Sequence, residues 1–161
     1  IKLASDRDAL RAALKSGRID ILATDHAPHT AEEKADPGYL TAPAGLPLVQ
    51  DVVLASLELV HDGDLTMAEL VKSMVHNPAR RFDVEERGFL REGYWADLTL
   101  VDTAQATPIT PERVLSRCGW SPFEGRSFRS RINATWVNGA LAFDGNSVIE
   151  HDRAMALSYA R

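Results

Sequence analysis

The residues best suited to chemistry in this sequence are Asp25 and His29, in the segment Thr-Asp-His-Ala-Pro-His at residues 24–29. A carboxylate can bind a divalent metal ion and can also move a proton to and from metal-bound water. An imidazole four residues later can donate hydrogen bonds to a substrate carboxylate. The pair therefore predicts a metal-assisted site with anion recognition. A plain turn cap would use the same residue types, so the residues alone leave both interpretations open.

The position of Asp25 favours the functional interpretation. Residues 19–24 form a short apolar, β-branched run, which is typical of a strand buried in a parallel sheet. In parallel α/β architectures the carboxyl ends of the strands face the active site, and Asp25 follows this run directly. His26 points elsewhere if the segment stays extended, so we assign it a structural role. Residues 25–47 form a loop rich in Pro and Gly, and a loop of that length is usually functional or disordered.

The spacing of apolar residues predicts the elements that carry this loop. Apolar stripes with suitable starts and ends predict three helices, at residues 6–15, at residues 48–61 and from the Thr66/Glu69 capping box onward. Short apolar runs then predict strands at residues 88–90, 96–102, 131–139 and 140–143. We therefore expect an α/β segment over residues 1–83 and a β-rich segment over residues 84–161.

Composition excludes several classes of partner. The chain has 161 residues, with 18 basic and 23 acidic side chains and a net charge of −5, and it has no basic block. This balance argues against nucleic acid or an anionic membrane as the main partner and leaves small molecules and proteins. The single cysteine, Cys118, rules out an internal disulfide and fits a reducing, cytoplasmic location. The sequence contains neither a signal peptide nor an apolar stretch of membrane-spanning length.

The loop residues resemble those of a known family. Residues 24–29, Thr-Ala-Glu-Glu-Lys at 30–34 and Ala-Pro-Ala-Gly-Leu-Pro at 42–47 are similar to the last barrel strand and following loop of dihydroorotases, members of the metal-dependent amidohydrolase superfamily. Further matching segments follow in the same order, at residues 77–80, 88–98, 118–125 and 137–139. The resemblance implies an α/β fold, namely the carboxyl-terminal part of a TIM (β/α)8 barrel plus part of a small β-sandwich.

The resemblance also implies a role for each site residue. Asp25 resembles the aspartate that ligates one zinc ion and acts as general base and general acid. His29 resembles the histidine that binds the substrate carboxylate. Ala44 and Gly45 match the positions whose backbone contacts the dihydropyrimidine ring, although some members have Phe-Gly there. The implied reaction is the zinc-dependent, reversible cyclisation of N-carbamoyl-L-aspartate to (S)-dihydroorotate in pyrimidine biosynthesis.

The remaining metal ligands of the family cannot be assigned in this sequence. The binuclear zinc site implied by the resemblance needs a His-x-His pair, a bridging carboxylated lysine or aspartate, and two later histidines. The five histidines here include no His-x-His pair, and His61 and His76 fall at predicted helix ends, where a structural role is expected. A complete barrel needs about 250 residues. We therefore expect this chain to be inactive alone and to be the carboxyl-terminal portion of a longer enzyme.

Two other functions stay open. Hydantoinases and allantoinases carry a similar Asp-His after the strand, but generally not the second histidine found here as His29. A non-catalytic, dihydroorotase-like scaffold for aspartate carbamoyltransferase would usually lack metal ligands, and the presence of Asp25 argues against it. Besides a small-molecule substrate, the resemblance admits a homodimer or association with aspartate carbamoyltransferase as partners.

Other conspicuous side chains receive structural interpretations. The three tryptophans are expected to be core or interface aromatics, and Cys118 a small buried hydrophobe. A local cluster of arginines is expected to form a solvated face rather than a phosphate site, because the chain as a whole is acidic. These residues are Trp95, Trp120, Trp136, Arg126, Arg129 and Arg131.

Overall fold

A computed structural model describes residues 3–36 and 38–160 of the chain. The helices of this part are α1 (Ala4–Lys15), α2 (Ala31–Lys34), α3 (Val52–His61), α4 (Met67–Val71) and α5 (Asn77–Arg81), with a π-helical turn at Lys72–His76 and a 3-10 turn at Pro111–Arg113. The strands are β1 (Leu98–Asp102), β2 (Thr107–Pro108), β3 (Ser127–Phe128), β4 (Arg131–Val137) and β5 (Ala140–Phe143). Across the described ranges, none of the helices has the length and apolar character needed to cross a membrane.

Helix α1 ends as its sequence predicts, although it begins two residues earlier than expected. Gly17 has a left-handed φ of 73°, and its N–H donates to the carbonyl of Leu14 at 3.1 Å. The N–H of Arg18 donates to the carbonyl of Ala13 at 2.9 Å. These two bonds form a Schellman motif, which satisfies carbonyls that the helix end would otherwise leave unpaired. Glycine fits this position because it adopts positive φ without strain.

The chain after α1 rests on the helical unit formed by α4, the π-helical turn and α5. Because Pro78 has no N–H, it offers no hydrogen bond to the carbonyl of Ser73 one π-turn earlier. That carbonyl instead accepts the N–H of Leu22 at 3.2 Å. The side-chain amide of Asn77 donates to the carbonyl of Asp20 at 2.7 Å. The Asn-Pro dipeptide therefore helps to fix the segment that leads into the candidate site.

Residues 19–24 are not a ladder strand in the described part of the chain, so the predicted buried strand is wrong as stated. Their side chains are half-buried or exposed. A strand requires a neighbouring strand to pair its N–H and C=O groups, and none of the described strands lies beside these residues. A strand-like contact nearby is the isolated parallel bridge between His26 and Leu46.

The β-rich segment forms two small antiparallel sheets. One has the order β1-β4-β5, and the other consists of β2 and β3. Strand β5 has the bounds predicted from sequence, whereas the strand predicted at residues 88–90 does not form. Gly88 there has a φ of 78°, and a Cβ at this position would lie 2.4 Å from the Cβ of Ala79. The ring of Phe89 stacks on His76 instead of standing on a sheet face.

Helix α3 packs against both halves of the molecule. Leu54 joins Ile109 and Phe128 in one buried cluster beneath the two-stranded sheet. One turn later, Leu57 joins Leu65 and Leu70 in a second cluster that also receives side chains from α1 and from the segment after it. Burial of a leucine side chain stabilises a fold by roughly 1.5–3 kcal/mol. Helix α3 therefore connects the two segments, while the boundary near residue 83 stays a prediction.

Polar contacts reinforce the junction between α3 and the strands. The ring Nε2 of His61 lies 2.8 Å from the hydroxyl of Ser130, which is fully buried. Arg129 donates through its backbone N–H and its Nε to the carboxylate of Glu58, at 2.8 and 2.7 Å. The same guanidinium contacts Asp62. His61 thus has the structural role expected from sequence, and Arg129 is engaged by acidic partners of its own chain.

Candidate active site

The candidate site is built on residues 25–47, called here the site loop. It begins at Asp25, whose backbone has a left-handed φ of 47°. Aspartate and asparagine enter this region more readily than most residues, because their short polar side chains can bond locally. The side chain of Asp25 is exposed, and no hydrogen bond or ion pair to its carboxylate occurs within residues 3–36 and 38–160. Within these ranges the carboxylate oxygens of Asp25 are therefore available to bind a metal ion.

His26 closes the base of the site loop. Its ring Nδ1 accepts the backbone N–H groups of Leu48 and Val49, at 3.0 and 3.2 Å. Because Nδ1 is the acceptor of both bonds, the ring proton in this arrangement is on Nε2. The structural role expected for His26 is confirmed. Its ring holds the residues that directly follow the site loop against the start of the loop.

The two arms of the site loop meet at Ala27 and Gly45. The N–H of Ala27 donates to the carbonyl of Leu46 at 3.0 Å. Gly45 has a φ of 99°, and a Cβ on it would lie only 2.4 Å from the Cβ of Ala27. Glycine is required here both by the backbone angle and by the close approach. This contact brings the exposed Ala44 and the backbone of Gly45 next to the segment that carries Asp25 and His29.

His29 is held through its backbone and leaves its ring accessible. Its N–H donates to the carbonyl of Ala27 at 3.0 Å, and its carbonyl accepts the indole N–H of Trp120 at 2.9 Å. The side chain is 36% exposed, with Nδ1 at 3.6 Å from Oε2 of Glu33. No hydrogen bond to Nε2 occurs among the described residues, so this nitrogen can bind a ligand.

Helix α2 fixes the outer part of the site loop. Thr30 and Glu33 form a capping box, in which Glu33 accepts the N–H of Thr30 at 2.7 Å and its own N–H reaches the Thr30 hydroxyl at 3.2 Å. The ammonium group of Lys34 donates to the carbonyl of Pro43 at 2.7 Å. Lys34 therefore links the helix after His29 to the arm that carries Ala44 and Gly45.

A second local bond network shapes the tip of the site loop. The carboxylate of Asp36 accepts the N–H of Gly38 at 2.7 Å and the hydroxyl of Thr41 at 2.9 Å. The hydrogen bond from the Gly38 backbone, followed by that from Thr41, lowers the pKa of Asp36 below its usual value. The tip is thus maintained by its own polar groups rather than by contact with the core.

Two contacts of the site were missed from sequence, those of Lys34 and Trp120. Lys34 lies inside the segment that resembles dihydroorotases, so its position was a usable signal. The sequence indicates a core or interface aromatic at Trp120, but not that its indole bonds a residue 91 positions away. No periodicity or local motif reports a contact over that distance.

Asp25 fits a single ligand position of a metal site, because its carboxylate is exposed and has no competing partner in the described part of the chain. A group of three or more His, Cys, Asp or Glu side chains that could hold a metal ion does not occur among the residues that the structure describes. His26, His61 and His76 are hydrogen-bonded within the chain. Asp25 is therefore the candidate metal ligand of the site loop, and the described residues do not group it with two further ligands.

Comparison with known proteins places the chain in a family. Residues 1–142 match the amidohydrolase family, and the chain belongs to it. It is 36% identical over 140 residues to a dihydroorotase from Clostridium acetobutylicum, covering 86% of this chain and 32% of that protein. It is 39% identical over 148 residues to a dihydroorotase from Halobacterium salinarum, covering 91% of this chain and 34% of that protein. The resemblance stated from sequence is confirmed.

Solved structures agree on the fold. An L-hydantoinase (dihydropyrimidinase) from Arthrobacter aurescens superposes with a TM-score of 0.83 at 28% identity, covering 91% of this chain and 34% of that one. A D-hydantoinase (dihydropyrimidinase) from Thermus sp. superposes with a TM-score of 0.82 at 24% identity, covering 90% and 32%. The expected mixed α/β class is confirmed. The chain spans about a third of the length of the relatives it matches.

Proposed function

We propose that this chain supplies the carboxyl-terminal part of a dihydroorotase, a cytoplasmic enzyme that interconverts N-carbamoyl-L-aspartate and (S)-dihydroorotate. Residues 1–83 would complete a (β/α)8 barrel, and residues 84–161 would contribute to a β-sandwich. The observation that carries the proposal is the combination, on one loop, of an accessible His29 ring and an Asp25 carboxylate that has no partner among the described residues. The similarity to curated dihydroorotases at 36% and 39% identity supports it.

His29 would bind the carboxylate that dihydroorotate carries on its ring. Nδ1 of its ring faces Glu33, so Nε2–H would donate to the substrate. A hydrogen bond to an ionised carboxylate is roughly twice as strong as one between neutral groups, so this bond would discriminate well between substrates with and without a carboxylate. The backbone of Ala44 and Gly45, held beside Ala27, would contact the amide groups of the ring.

Asp25 would act both as a metal ligand and as the group that transfers the proton. A zinc ion bound there together with ligands from outside this chain would polarise the substrate carbonyl and make water nucleophilic at neutral pH. In hydrolysis a C–O bond forms at the ring amide carbon and the C–N bond breaks. Asp25 accepts the proton of the attacking water and delivers it to the leaving nitrogen. In cyclisation Asp25 moves the proton in the opposite direction.

A hydantoinase-type activity is the second candidate, because the superposed structures are hydantoinases. Both activities open a cyclic amide, and they differ in whether the substrate carries a ring carboxylate. The accessible His29 favours dihydroorotase. A non-catalytic scaffold for aspartate carbamoyltransferase is the third candidate. The Asp25 carboxylate, which has no partner among the described residues, argues against it.

The decisive experiment measures hydrolysis of dihydroorotate, and of dihydrouracil, which lacks the carboxylate, by the zinc-loaded full-length protein. Asp25→Asn keeps a residue that tolerates the left-handed backbone, and we expect it to lower kcat by about 10²–10⁴-fold, the usual share of general acid–base catalysis. His29→Asn should raise KM for dihydroorotate by about 10-fold or more, the effect of a charged hydrogen bond, and leave dihydrouracil unaffected.

Each alternative has its own signature in this experiment. A wild-type protein that prefers dihydrouracil, with equal effects of His29→Asn on both substrates, would favour the hydantoinase assignment. A zinc-free wild-type protein without turnover would favour the scaffold. Full activity in Asp25→Asn would refute the role proposed for Asp25.

A further inference from the structure

We propose that Trp120 is a positioning residue for His29, and that the buried pair of Ser121 and Asp51 holds Trp120 in place. The inference rests on the proposed function, since the position of His29 affects catalysis only if His29 binds the substrate. It assigns to the segment of residues 118–125 a role in substrate recognition, although this segment lies far from the site loop in sequence.

Both backbone polar groups of His29 are engaged, and Trp120 supplies one of the two bonds. The N–H of His29 donates to Ala27 across Pro28 at 3.0 Å, which fixes the loop locally. The indole N–H of Trp120 donates to the His29 carbonyl at 2.9 Å, and this bond is part-buried. With its backbone held at both ends, His29 keeps only the rotations of its side chain, so its ring is presented from a defined point.

Trp120 is itself anchored to the start of α3. The hydroxyl of the next residue, Ser121, donates to Oδ2 of Asp51 at 2.9 Å and accepts the N–H of Phe123 at 3.2 Å. Ser121 and Asp51 are 8% and 3% exposed. Asp51 lies immediately before α3, whose Leu54 belongs to the core cluster. A continuous set of contacts therefore runs from the core through Asp51, Ser121 and Trp120 to His29.

The environment of Asp51 indicates that its role is positional. Its second oxygen, Oδ1, is buried and has no hydrogen-bond partner in the described part of the chain. Its side chain makes no capping bond to the first turn of α3 either. Burial of a polar atom without a partner reduces stability, so a small apolar residue would be expected here if packing alone mattered. The hold on Ser121 accounts for the carboxylate.

Loss of the hydrogen bond between Trp120 and His29 should affect substrate binding rather than turnover. Binding sites need their side chains within about 0.5 Å of the productive position, and charged hydrogen bonds weaken steeply as they lengthen. A displaced His29 would bind the substrate carboxylate less tightly. Asp25, four residues earlier and fixed by the base of the site loop, would still transfer its proton.

Trp120→Phe tests the proposal, because it removes the indole N–H and keeps an aromatic ring. The matched control is Trp136→Phe in β4, whose indole makes no hydrogen bond within residues 3–36 and 38–160. We expect Trp120→Phe to raise KM for dihydroorotate about 5- to 15-fold, the usual worth of one hydrogen bond, with kcat within about twofold. KM for dihydrouracil should not change. An equal effect on both substrates, or in Trp136→Phe, would overturn the proposal.

Hydrogen–deuterium exchange provides a readout that does not depend on activity. The peptide containing His29 should exchange faster in Trp120→Phe than in the wild type, and not in Trp136→Phe. If the wild-type protein hydrolyses no dihydroorotate, the proposed function fails. Faster exchange in Trp120→Phe would then still support the positioning contact, and unchanged exchange would overturn it in either case.

Substitutions at Asp51 test the anchor. Asp51→Asn keeps an acceptor for the Ser121 hydroxyl, so its KM should stay close to that of the wild type. Asp51→Leu should raise KM as Trp120→Phe does. The double variant of Asp51→Leu and Trp120→Phe should be no worse than either single variant, since both act through one contact. Full additivity would contradict the inferred connection. If Asp51→Leu does not fold, Ser121→Ala removes the same bond with a smaller change of volume.

Discussion

The site loop and the core around α3 differ in what maintains their shape. Among the described residues of the site loop, Pro47 alone is buried, and the loop is held by capping bonds, by two left-handed backbone positions and by the Lys34 contact to Pro43. The core is held by apolar side chains that are almost completely removed from water, with Leu54 and Ile109 each 2% exposed.

This difference separates the candidate site from the residues that stabilise the fold. A carboxylate that is to bind a metal ion needs unoccupied oxygen atoms, and the Asp25 carboxylate has no partner in the described part of the chain, since other groups fix the loop. Directional hydrogen bonds define a loop conformation and leave its side chains accessible to ligands. Burial stabilises a fold but makes the buried side chains inaccessible to ligands. Substitutions in the loop should therefore change binding and turnover, and substitutions in the core should change the free energy of unfolding.

The largest expected effect comes from the same substitution made in both regions. Leu54→Ala leaves a cavity between α3 and the two-stranded sheet, and it should lower the free energy of unfolding by about 2–5 kcal/mol. Leu40→Ala, in the site loop, removes a side chain that is 93% exposed. This substitution should change the free energy of unfolding by less than about 0.5 kcal/mol. Urea denaturation of both variants measures the difference. Similar losses would contradict the comparison.

An intermediate effect is expected at His26, where the loop is closed by polar bonds. His26→Leu removes the acceptor of the N–H groups of Leu48 and Val49. Because Val49 is exposed and water can replace part of the interaction, we expect a loss of about 1 kcal/mol in stability together with a higher KM. His26→Asn places an acceptor oxygen near the position of Nδ1 and serves as the control. A loss as large as that of Leu54→Ala would show that the loop is part of the core.

The features predicted from sequence are those set by neighbouring residues. The capping box of Thr66 and Glu69 forms at the start of α4, with Glu69 accepting the Thr66 N–H at 2.7 Å. The glycine that ends α1 and the bounds of β5 also follow from local patterns. In each case the hydrogen bonds or side-chain alternation involve residues a few positions apart, so the sequence carries the whole signal.

The features that were not predicted depend on distant partners. Residues 19–24 have the composition of a strand, but pairing requires a neighbour that composition does not specify. The π-helical turn depends on how Pro78, Ser73 and Leu22 share hydrogen bonds across separate elements. In the candidate site, the loop itself and the structural role of His26 were predicted. The contact of Trp120 with His29 was not, because it joins residues that only the fold brings together.

The smallest expected effect concerns the ion pairs of Arg129, where charged groups attach the strands to α3. Partial burial alone would raise the pKa of Glu58, but the backbone N–H and guanidinium of Arg129 outweigh it and lower that pKa below its usual value. The hydrogen bond from Arg129 is also the main cause of the lowered pKa of Asp62. Because both folded-state pKa values are lowered, these bonds stabilise the protein above the unfolded-state pKa values, and the contribution is lost as the pH falls through the folded-state ones.

Arg129→Met should therefore reduce stability at neutral pH and flatten its dependence on pH below roughly pH 4, the ordinary range of carboxylic acids. The change should be smaller than that of His26→Leu, because Arg129 and Asp62 are exposed and Glu58 is only partly buried, so water and salt screen these ion pairs. Arg129→Lys keeps the charge but loses the bidentate geometry, so it separates attraction from hydrogen bonding. Urea denaturation at a series of pH values measures both. If the dependence of stability on pH were unchanged in Arg129→Met, the ion pairs of Arg129 would contribute nothing to the junction. Apolar burial in the α3 clusters alone would then join the helices to the strands.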